Sequence, residues 1–226
     1  MFSKYFKNMI ISIALFILYI VFTSLFVVKS FQVKNDIVFA TVFPQILSSI
    51  ITIYIVSIIY KDIIIKNLKS IKKDFNIKLF LTGIILIIAS IIMDTLLKNT
   101  LGRDSSNNSA IIETIKSYKY IYALFVIFIG PLLEELIFRL PYNKNKNIIT
   151  FIECIIIFVL LHIQSTKDLI FIIPYFLVTF AITLNYFKTD NIFISYLIHL
   201  INNLINVLLL IWWWYEKEEK WIYIRN

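Results

Sequence analysis

Apolar runs of about 20 residues recur along the chain, and short clusters of Lys, Asn and Asp separate them. A run of that length is what an α-helix needs to cross the hydrocarbon core of a bilayer. The pattern therefore predicts an all-α, polytopic transmembrane helical bundle of about seven spans, with eight as the alternative. The predicted spans are Met9–Val28, Ile37–Tyr60, Leu79–Leu97, Tyr120–Leu140, the short Ile148–Ile163, Leu169–Phe187 and Ile192–Trp214.

The connection between the second and third spans is strongly basic. It contains Lys61, Lys66, Lys69, Lys72, Lys73 and Lys78. Because Lys and Arg concentrate in the cytoplasmic connections of membrane proteins, this loop and the N-terminus are predicted to lie in the cytoplasm. When Lys and Arg are counted over all connections, the two sides of the membrane differ little, so the predicted orientation depends on this one loop.

The longest polar interruption runs from Asn99 to Lys119 and is predicted to face outward. Within it, residues 105–109 predict an exposed loop, and residues 111–119 predict a short amphipathic helix at the membrane interface. The chain is accordingly divided into 1–118 with the N-terminal helices and this polar loop, 119–215 with the motif-bearing helical core, and 216–226 as a polar C-terminal tail.

Composition agrees with a membrane protein. The chain is 60% hydrophobic and 16% charged, whereas a soluble domain is roughly 45–50% apolar. Its net charge of +8 is better explained by cytoplasmic connections and contact with anionic lipid than by nucleic acid. The predicted partner is therefore the lipid bilayer, with no nucleic acid, and the oligomeric state is left open.

Two adjacent carboxylates and an arginine stand at the end of the fourth span, at Glu134, Glu135 and Arg139. An ionisable group at the centre of a membrane helix costs about 2.5–3.5 kcal/mol on insertion scales, so each one calls for a partner or a function. Glu135 and Arg139 are i,i+4 neighbours able to pair, while Glu134 points about 100° away. Glu134 is thus left free and suits a general base acting on water. A purely structural ion pair with a snorkelling arginine is the alternative.

Both histidines of the chain fall in predicted spans of its C-terminal half. His199 shares a helix face with Asn203 at i+4, a pair suited to donate to an oxyanion. Phe158 precedes His162 by one turn and is placed to fix its ring. Helix rise puts Glu134 and His199 at one depth but His162 ~10 Å further on. Each histidine taken alone is better explained by a hydrogen-bonded helix contact.

The sequence resembles a family of intramembrane proteases, the CAAX protease and bacteriocin-processing (CPBP, or Abi) family. The three motifs that carry the resemblance are Glu134-Glu135-x-x-x-Arg139, Phe158-x-x-x-His162 and His199-x-x-x-Asn203, in that order and inside predicted spans. The resemblance covers roughly residues 120–214, and Tyr186-x-x-Thr189-x-Asn191 adds a weaker similarity.

The resemblance implies an endopeptidase that hydrolyses a membrane-associated peptide or protein precursor. Glu134 assisted by His162 would activate water, His199 with Asn203 would stabilise the oxyanion, and Glu135 and Arg139 would support and orient them. Phe158 would have a supporting role. A divalent metal such as zinc, held by Glu134, His162 and His199, is the alternative to a metal-free glutamate mechanism.

Two other classes of function compete with the protease. One is a non-enzymatic membrane partner, such as a bacteriocin self-immunity protein that uses the same cavity. The other is a proton-relaying transporter, which the absence of an inverted repeat in the sequence disfavours. The excess of Ile, Lys and Asn suggests an AT-rich bacterial genome, so the protein is expected in a bacterial cell membrane with a bacteriocin, pheromone or other peptide precursor as substrate.

Overall fold

The computed structural model describes the backbone of residues 2–33 and 37–225 and the side chains of residues 7–30, 39–118 and 120–212. Over these residues the chain is helical almost throughout. The α-helices are α1 (Phe2–Val33), α2 (Ile37–Ile59), α3 (Lys61–Asp74), α4 (Ile77–Leu101), α5 (Ser106–Leu124), α6 (Gly130–Phe138), α7 (Ile148–His162), α8 (Ile172–Thr189) and α9 (Ile192–Arg225). A π-helical turn, Phe125–Ile129, joins α5 to α6, and 3-10 turns occupy Leu140–Tyr142 and Thr166–Phe171.

Several helices begin or end at residues that commonly cap helices in proteins. Asn76 accepts a hydrogen bond from the backbone N–H of Leu79 at 3.1 Å and so caps α4, which ends at Gly102 with φ +65°. Asn147 begins α7 through a reciprocal capping box with Thr150. These local signals place the ends of the spans close to the positions that hydropathy predicts.

Within the part of the chain that the structure describes, six helical segments are long and apolar enough to cross a membrane. They are Lys7–Ser30, Phe39–Ile59, Ile77–Leu101, Tyr120–Tyr142, Thr166–Thr189 and Ile192–Trp212, and Ile148–His162 is a shorter apolar helix between them. The predicted polytopic bundle is confirmed, with the fifth predicted span as the short one. Many of its large apolar side chains face outward, as expected for an integral membrane protein surrounded by lipid.

The connections lie at two ends of the bundle. One end, here called the α3 end, holds α3 together with the turn before α7 and the turn from α8 to α9, since Lys146 and Asn67 both bond to Asp190. The opposite end, here called the α5 end, holds the start of α5 and the start of α8, since Tyr175 hydrogen-bonds to Ser105.

Two polar connections differ from the sequence prediction. The basic connection after Lys61 is largely a helix, α3. The predicted exposed loop at 105–109 is wrong, because Ser105 is fully buried and residues 106–109 are helical and partly buried. The helix predicted at 111–119 is present but belongs to the longer α5, which continues to Leu124, and its place at the membrane interface stays a prediction. Ser105 accepts from the backbone N–H of Asn108 and begins a helix that runs on through the π-helical turn into α6, so the polar residues form the first turns of a long helix.

Close helix packing is made possible by a small residue that hydropathy does not reveal. Gly83 on α4 faces α8 and α9, and a Cβ at that position would lie 2.8 Å from Asn185 Nδ2 and 2.9 Å from Ile198 Cδ1. Thr179 and Thr183, one turn apart on α8, are both fully buried. Small residues at such contacts let membrane helices approach. Since Ile198 precedes His199, this contact also supports the helix that carries the third motif.

Candidate active site

A cavity of about 990 Å³ lies inside the helical bundle and extends toward the α5 end. Residues of all three motifs line it, and so does the connection from α4 to α5. The motif residues on its wall are Glu134, Phe158, His162, His199 and Asn203. Glu135 and Arg139 lie behind this wall and are fully buried.

The adjacent glutamates of α6 have different surroundings, because neighbouring residues on a helix point about 100° apart. Glu135 pairs with Arg139 at 3.2 Å, with no exposure of either side chain, as the i,i+4 spacing predicts. Glu134 keeps 31% of its side chain accessible. Its Oε2 has no hydrogen-bond partner among the described residues. The structure therefore pairs one carboxylate and leaves the other facing the cavity.

His199 on α9 lies between these two carboxylates. Its Nδ1 is 3.0 Å from Glu135 Oε1, within hydrogen-bonding distance. Its Nε2 is 3.6 Å from Glu134 Oε2, within ion-pairing distance for a protonated ring and longer than a direct hydrogen bond. A carboxylate that accepts from Nδ1–H fixes the ring and its tautomer and leaves Nε2 directed at the cavity.

Phe158 on α7 joins the remaining motif side chains. The guanidinium of Arg139 lies 4.2 Å from the centre of its ring, and the ring of His162 stacks on it at 4.4 Å. The ring of His199 meets it edge-on at 5.7 Å. Cation–π and aromatic contacts of this kind hold the guanidinium and both imidazoles around one ring.

These contacts correct the depth predicted for His162. The Phe158 ring lies at the depth of the Arg139 guanidinium. His162 is one turn after Phe158 on α7, and Glu134 is roughly one turn before Arg139 on α6. Because the two helices are antiparallel, both steps lead in the same direction, and His162 and Glu134 lie at one depth. The estimate assumed straight helices joined by a turn at the membrane surface. Leu140 and Tyr142, in the connection, are instead fully buried.

His162 is oriented by its own helix and by α8. Its Nδ1 lies 2.8 Å from the carbonyl oxygen of Phe158, so Nδ1–H donates to that carbonyl and Nε2 of the neutral ring is an acceptor. Tyr175 packs against the ring at 5.1 Å, and its hydroxyl lies 2.8 Å from Ser105 Oγ. Sequence analysis missed Tyr175, because an aromatic residue in an apolar span carries no signal of its own.

Asn203 is held by the π-helical turn. Its Nδ2 donates to the carbonyl oxygen of Val126 at 2.9 Å, and its Oδ1 accepts from Asn202 Nδ2 at 3.0 Å. The Val126 carbonyl lacks a helical partner because Gly130 N–H bonds to Phe125 and Pro131 has no N–H. One amide hydrogen of Asn203 therefore donates to the Val126 carbonyl, and the second stays available at the cavity wall.

The side chains as arranged do not form the three-ligand zinc site considered from the sequence. Among the described residues, no group of three or more His, Cys, Asp or Glu side chains is placed to hold a metal ion. The Nδ1 atoms of His199 and His162 are engaged with Glu135 and with a backbone carbonyl, contacts that orient the rings and leave both Nε2 atoms available. Metal dependence stays a prediction.

Comparison with protein families agrees with the motif geometry. Residues 116–205 match the family described as type II CAAX prenyl endopeptidase Rce1-like. The matched segment is similar to that family and spans less than half of the chain. The match contains α6, α7, α8 and the part of α9 that carries His199 and Asn203, and it confirms the CPBP resemblance drawn from the motifs. Comparisons with curated proteins and with solved structures gave no match.

The match to the Rce1-like family supports an intramembrane endopeptidase acting on a peptide or protein in a membrane environment. The family match covers the C-terminal helices and not α1 to α4. Those N-terminal helices nevertheless contribute Phe16, Gln45, Asp94 and Lys98 to the cavity wall. The part of the chain outside the match therefore helps to shape the space in which a substrate would lie.

Proposed function

We propose that this protein is an intramembrane endopeptidase that hydrolyses a peptide bond with a water activated by Glu134. The observation that carries the proposal is the geometry of the Glu134 carboxylate. Its Oε2 accepts no hydrogen bond from the described residues and lies 3.6 Å from His199 Nε2, while the neighbouring Glu135 is paired with Arg139. A carboxylate that is not bound to a guanidinium can accept a proton from water, as a general base must.

The proposed role of His199 uses both of its ring nitrogens as donors. The ring lies between the carboxylates of Glu134 and Glu135, which face its Nε2 and its Nδ1. In the imidazolium form, Nδ1–H donates to Glu135 and Nε2–H donates into the cavity beside Glu134.

The proposed reaction begins with a water that hydrogen-bonds to Glu134 and to the Nε2 acceptor of His162. Glu134 removes a proton as the water oxygen attacks the carbonyl carbon of the scissile peptide bond. The negative charge on the carbonyl oxygen is stabilised by Nε2–H of His199 and by the second amide hydrogen of Asn203. Collapse of the intermediate breaks the C–N bond, and Glu134 returns the proton to the departing amine.

The substrate class follows from where the site lies. A cavity of about 990 Å³ inside a bundle of membrane-spanning helices is large enough for several residues of an extended peptide. We infer a membrane-associated peptide or protein precursor, with a bacteriocin, pheromone or similar bacterial peptide as the expected kind.

The test is a peptidomic comparison of cells that express the wild type, Glu134→Gln or Glu113→Gln. Glutamine keeps the shape of Glu134 but cannot accept the proton, so hydrolysis should fall by ~10²–10⁴-fold while the protein still folds. Glu113 is exposed on α5 and serves as the matched control, which should retain the cleavage products. Extending the series to His162→Ala and His199→Ala tests both imidazoles.

The cleavage products could instead be fully retained in Glu134→Gln, His162→Ala and His199→Ala. That result would refute the endopeptidase proposal and favour a non-enzymatic membrane partner such as a self-immunity protein. A chelator arm separates the two hydrolytic mechanisms. The metal-free mechanism expects unchanged cleavage after chelation and dialysis. Loss of cleavage that zinc restores would refute the metal-free mechanism and leave the protease assignment standing.

A further inference from the structure

The outward face of α3 is basic and partly apolar. Its exposed lysines are Lys61, Lys66, Lys69, Lys72 and Lys73. Leu68 and Ile65 lie among them and are 58% and 39% exposed. Asp62 is the one exposed carboxylate on the helix, and Lys66 also lies 3.7 Å from Asp190. The face therefore combines a net positive charge with apolar side chains, as membrane-surface helices do.

The position of α3 in the chain places this face at a membrane surface. The helix connects α2 to α4, and both of these are membrane-spanning segments. Its two ends must therefore lie at the same side of the bilayer. A helix of 14 residues is ~21 Å long, so α3 lies across that side of the bundle at the level of the lipid headgroups.

The inward face of α3 is fixed to the turn that begins α9. Asn67 is 2% exposed, although it belongs to a surface helix. Its Nδ2 donates to the carbonyl oxygen of Asp190 at 3.1 Å, and its Oδ1 accepts from the backbone N–H of Ile192 at 2.9 Å. One carboxamide thus satisfies a backbone acceptor and an N-terminal donor of α9 at the same time.

Asn191 completes this junction from the other side. Its Oδ1 accepts from the backbone N–H of Phe193 at 3.0 Å and caps α9. Its Nδ2 donates to the carbonyl oxygen of Asn67 at 2.7 Å and to Asp74 Oδ2 at 2.9 Å. The hydrogen bonds from Asn191 and then Ser70 hold the pKa of Asp74 below its usual range, so its carboxylate is charged near neutral pH.

The junction is close to the chemistry of the site. His199 is seven residues beyond Ile192 on the same helix, ~10 Å along its axis. A helix transmits the position of its first turn to residues two turns away, so movement of α3 shifts the ring that lies between Glu134 and Glu135.

We propose that α3 binds the anionic phospholipid headgroups of the adjacent leaflet, and that this contact holds the first turn of α9 in the position seen in the structure. The lysines supply the electrostatic attraction, and Leu68 with Ile65 enters the boundary between headgroups and acyl chains. The junction of Asn67 with Asn191 couples the lipid contact to α9. The proposal goes beyond the proposed hydrolysis and is tested without measuring activity.

The first measurement is the fluorescence of an environment-sensitive label at Leu68→Cys, in full-length protein reconstituted into vesicles. Cys154 is 1% exposed and should stay unlabelled, and the protein without the substitution is the control for this. Vesicles of phosphatidylcholine alone are compared with vesicles that also contain phosphatidylglycerol, at low and high salt. A blue shift is expected only with phosphatidylglycerol, and salt should reverse it.

Charge is tested with Lys69→Gln/Lys72→Gln. At about 1 kcal/mol for each lysine near an anionic surface, the double variant should weaken the headgroup contact roughly 30-fold. The matched control is Lys116→Gln/Lys167→Gln, which removes two exposed lysines from α5 and from the turn before α8 and should leave the blue shift unchanged.

The second measurement is hydrogen–deuterium exchange of residues 190–199 in unlabelled protein, which does not depend on the cysteine variant. Slower exchange with phosphatidylglycerol, lost in Lys69→Gln/Lys72→Gln, supports the coupling, and unchanged exchange refutes it. Equal fluorescence in both kinds of vesicle overturns the lipid contact. A response to soluble polyglutamate without a response to phosphatidylglycerol also overturns it and points to an acidic protein.

Discussion

Replacing Arg139 by methionine should destabilise the protein strongly. The guanidinium is fully buried, pairs with Glu135 at 3.2 Å and lies 4.2 Å from the centre of the Phe158 ring. Methionine fills a similar volume but leaves the Glu135 carboxylate with His199 as its remaining ionisable partner. Removing one member of a buried ion pair typically costs about 3–5 kcal/mol.

A second arginine, Arg103, provides the matched control for the expected loss of stability. Arg103 also pairs with a buried carboxylate, Asp168, but its own side chain is 36% exposed and the distance is 3.4 Å. Asp168 keeps the backbone N–H groups of Ser106 and Ser165 as hydrogen-bond donors when the arginine is removed. Arg103→Met should therefore cost less than Arg139→Met, because its partner carboxylate remains hydrogen-bonded and its own guanidinium is partly exposed.

The assay is equilibrium unfolding in detergent micelles followed by circular dichroism, with Arg139→Met, Glu135→Gln and their combination measured beside the wild type. Because the charge left by one substitution is removed by the other, the combination should cost less than the sum of the single changes by about 0.5–3 kcal/mol. Additive effects, or an Arg139→Met protein as stable as Arg103→Met, would show that the pair does not support the site.

Two further predictions concern packing and orientation. Gly83→Val should destabilise the bundle by about 1–3 kcal/mol, because the valine side chain would overlap Asn185 and Ile198. Thermal unfolding measures this, with Ala89→Val at an exposed position of the same helix as the control. Equal stability of the two variants would contradict the prediction. A cysteine at Lys167 should react with a membrane-impermeant reagent in intact cells, and one at Lys69 only after permeabilisation, since the basic α3 end is predicted to be cytoplasmic; the opposite labelling pattern would reverse the orientation.

The spans and the pairing of Glu135 with Arg139 could be predicted from the sequence because both depend on short-range regularities. Apolar run length identifies a membrane helix without knowledge of its neighbours. The i,i+4 geometry of a helix brings Glu135 and Arg139 together wherever that helix packs. The convergence of three motifs was inferred from the family resemblance, since helix geometry alone cannot say which spans are adjacent.

The features that the sequence did not predict correctly depend on contacts between segments that are distant along the chain. Residues 105–109 look like an exposed loop by composition, but Ser105 is buried by Tyr175, which lies 70 residues further along the chain. Asn67 looks like one more polar residue in a basic connection, and its role depends on Asp190 and Ile192. Hydrogen bonds over such separations leave no periodic trace in the sequence.

The π-helical turn shows how a local break in a helix can orient a residue on another helix. Pro131 lacks an N–H and Gly130 bonds back to Phe125, so the Val126 carbonyl would be an unsatisfied acceptor inside the bundle. Asn203 from α9 fills that position, which fixes the direction of its carboxamide. An asparagine without this partner could rotate and present either its oxygen or its nitrogen to the cavity. The proline that interrupts the hydrogen bonding of α6 thus determines that Asn203 offers a donor at the wall where the proposed oxyanion forms.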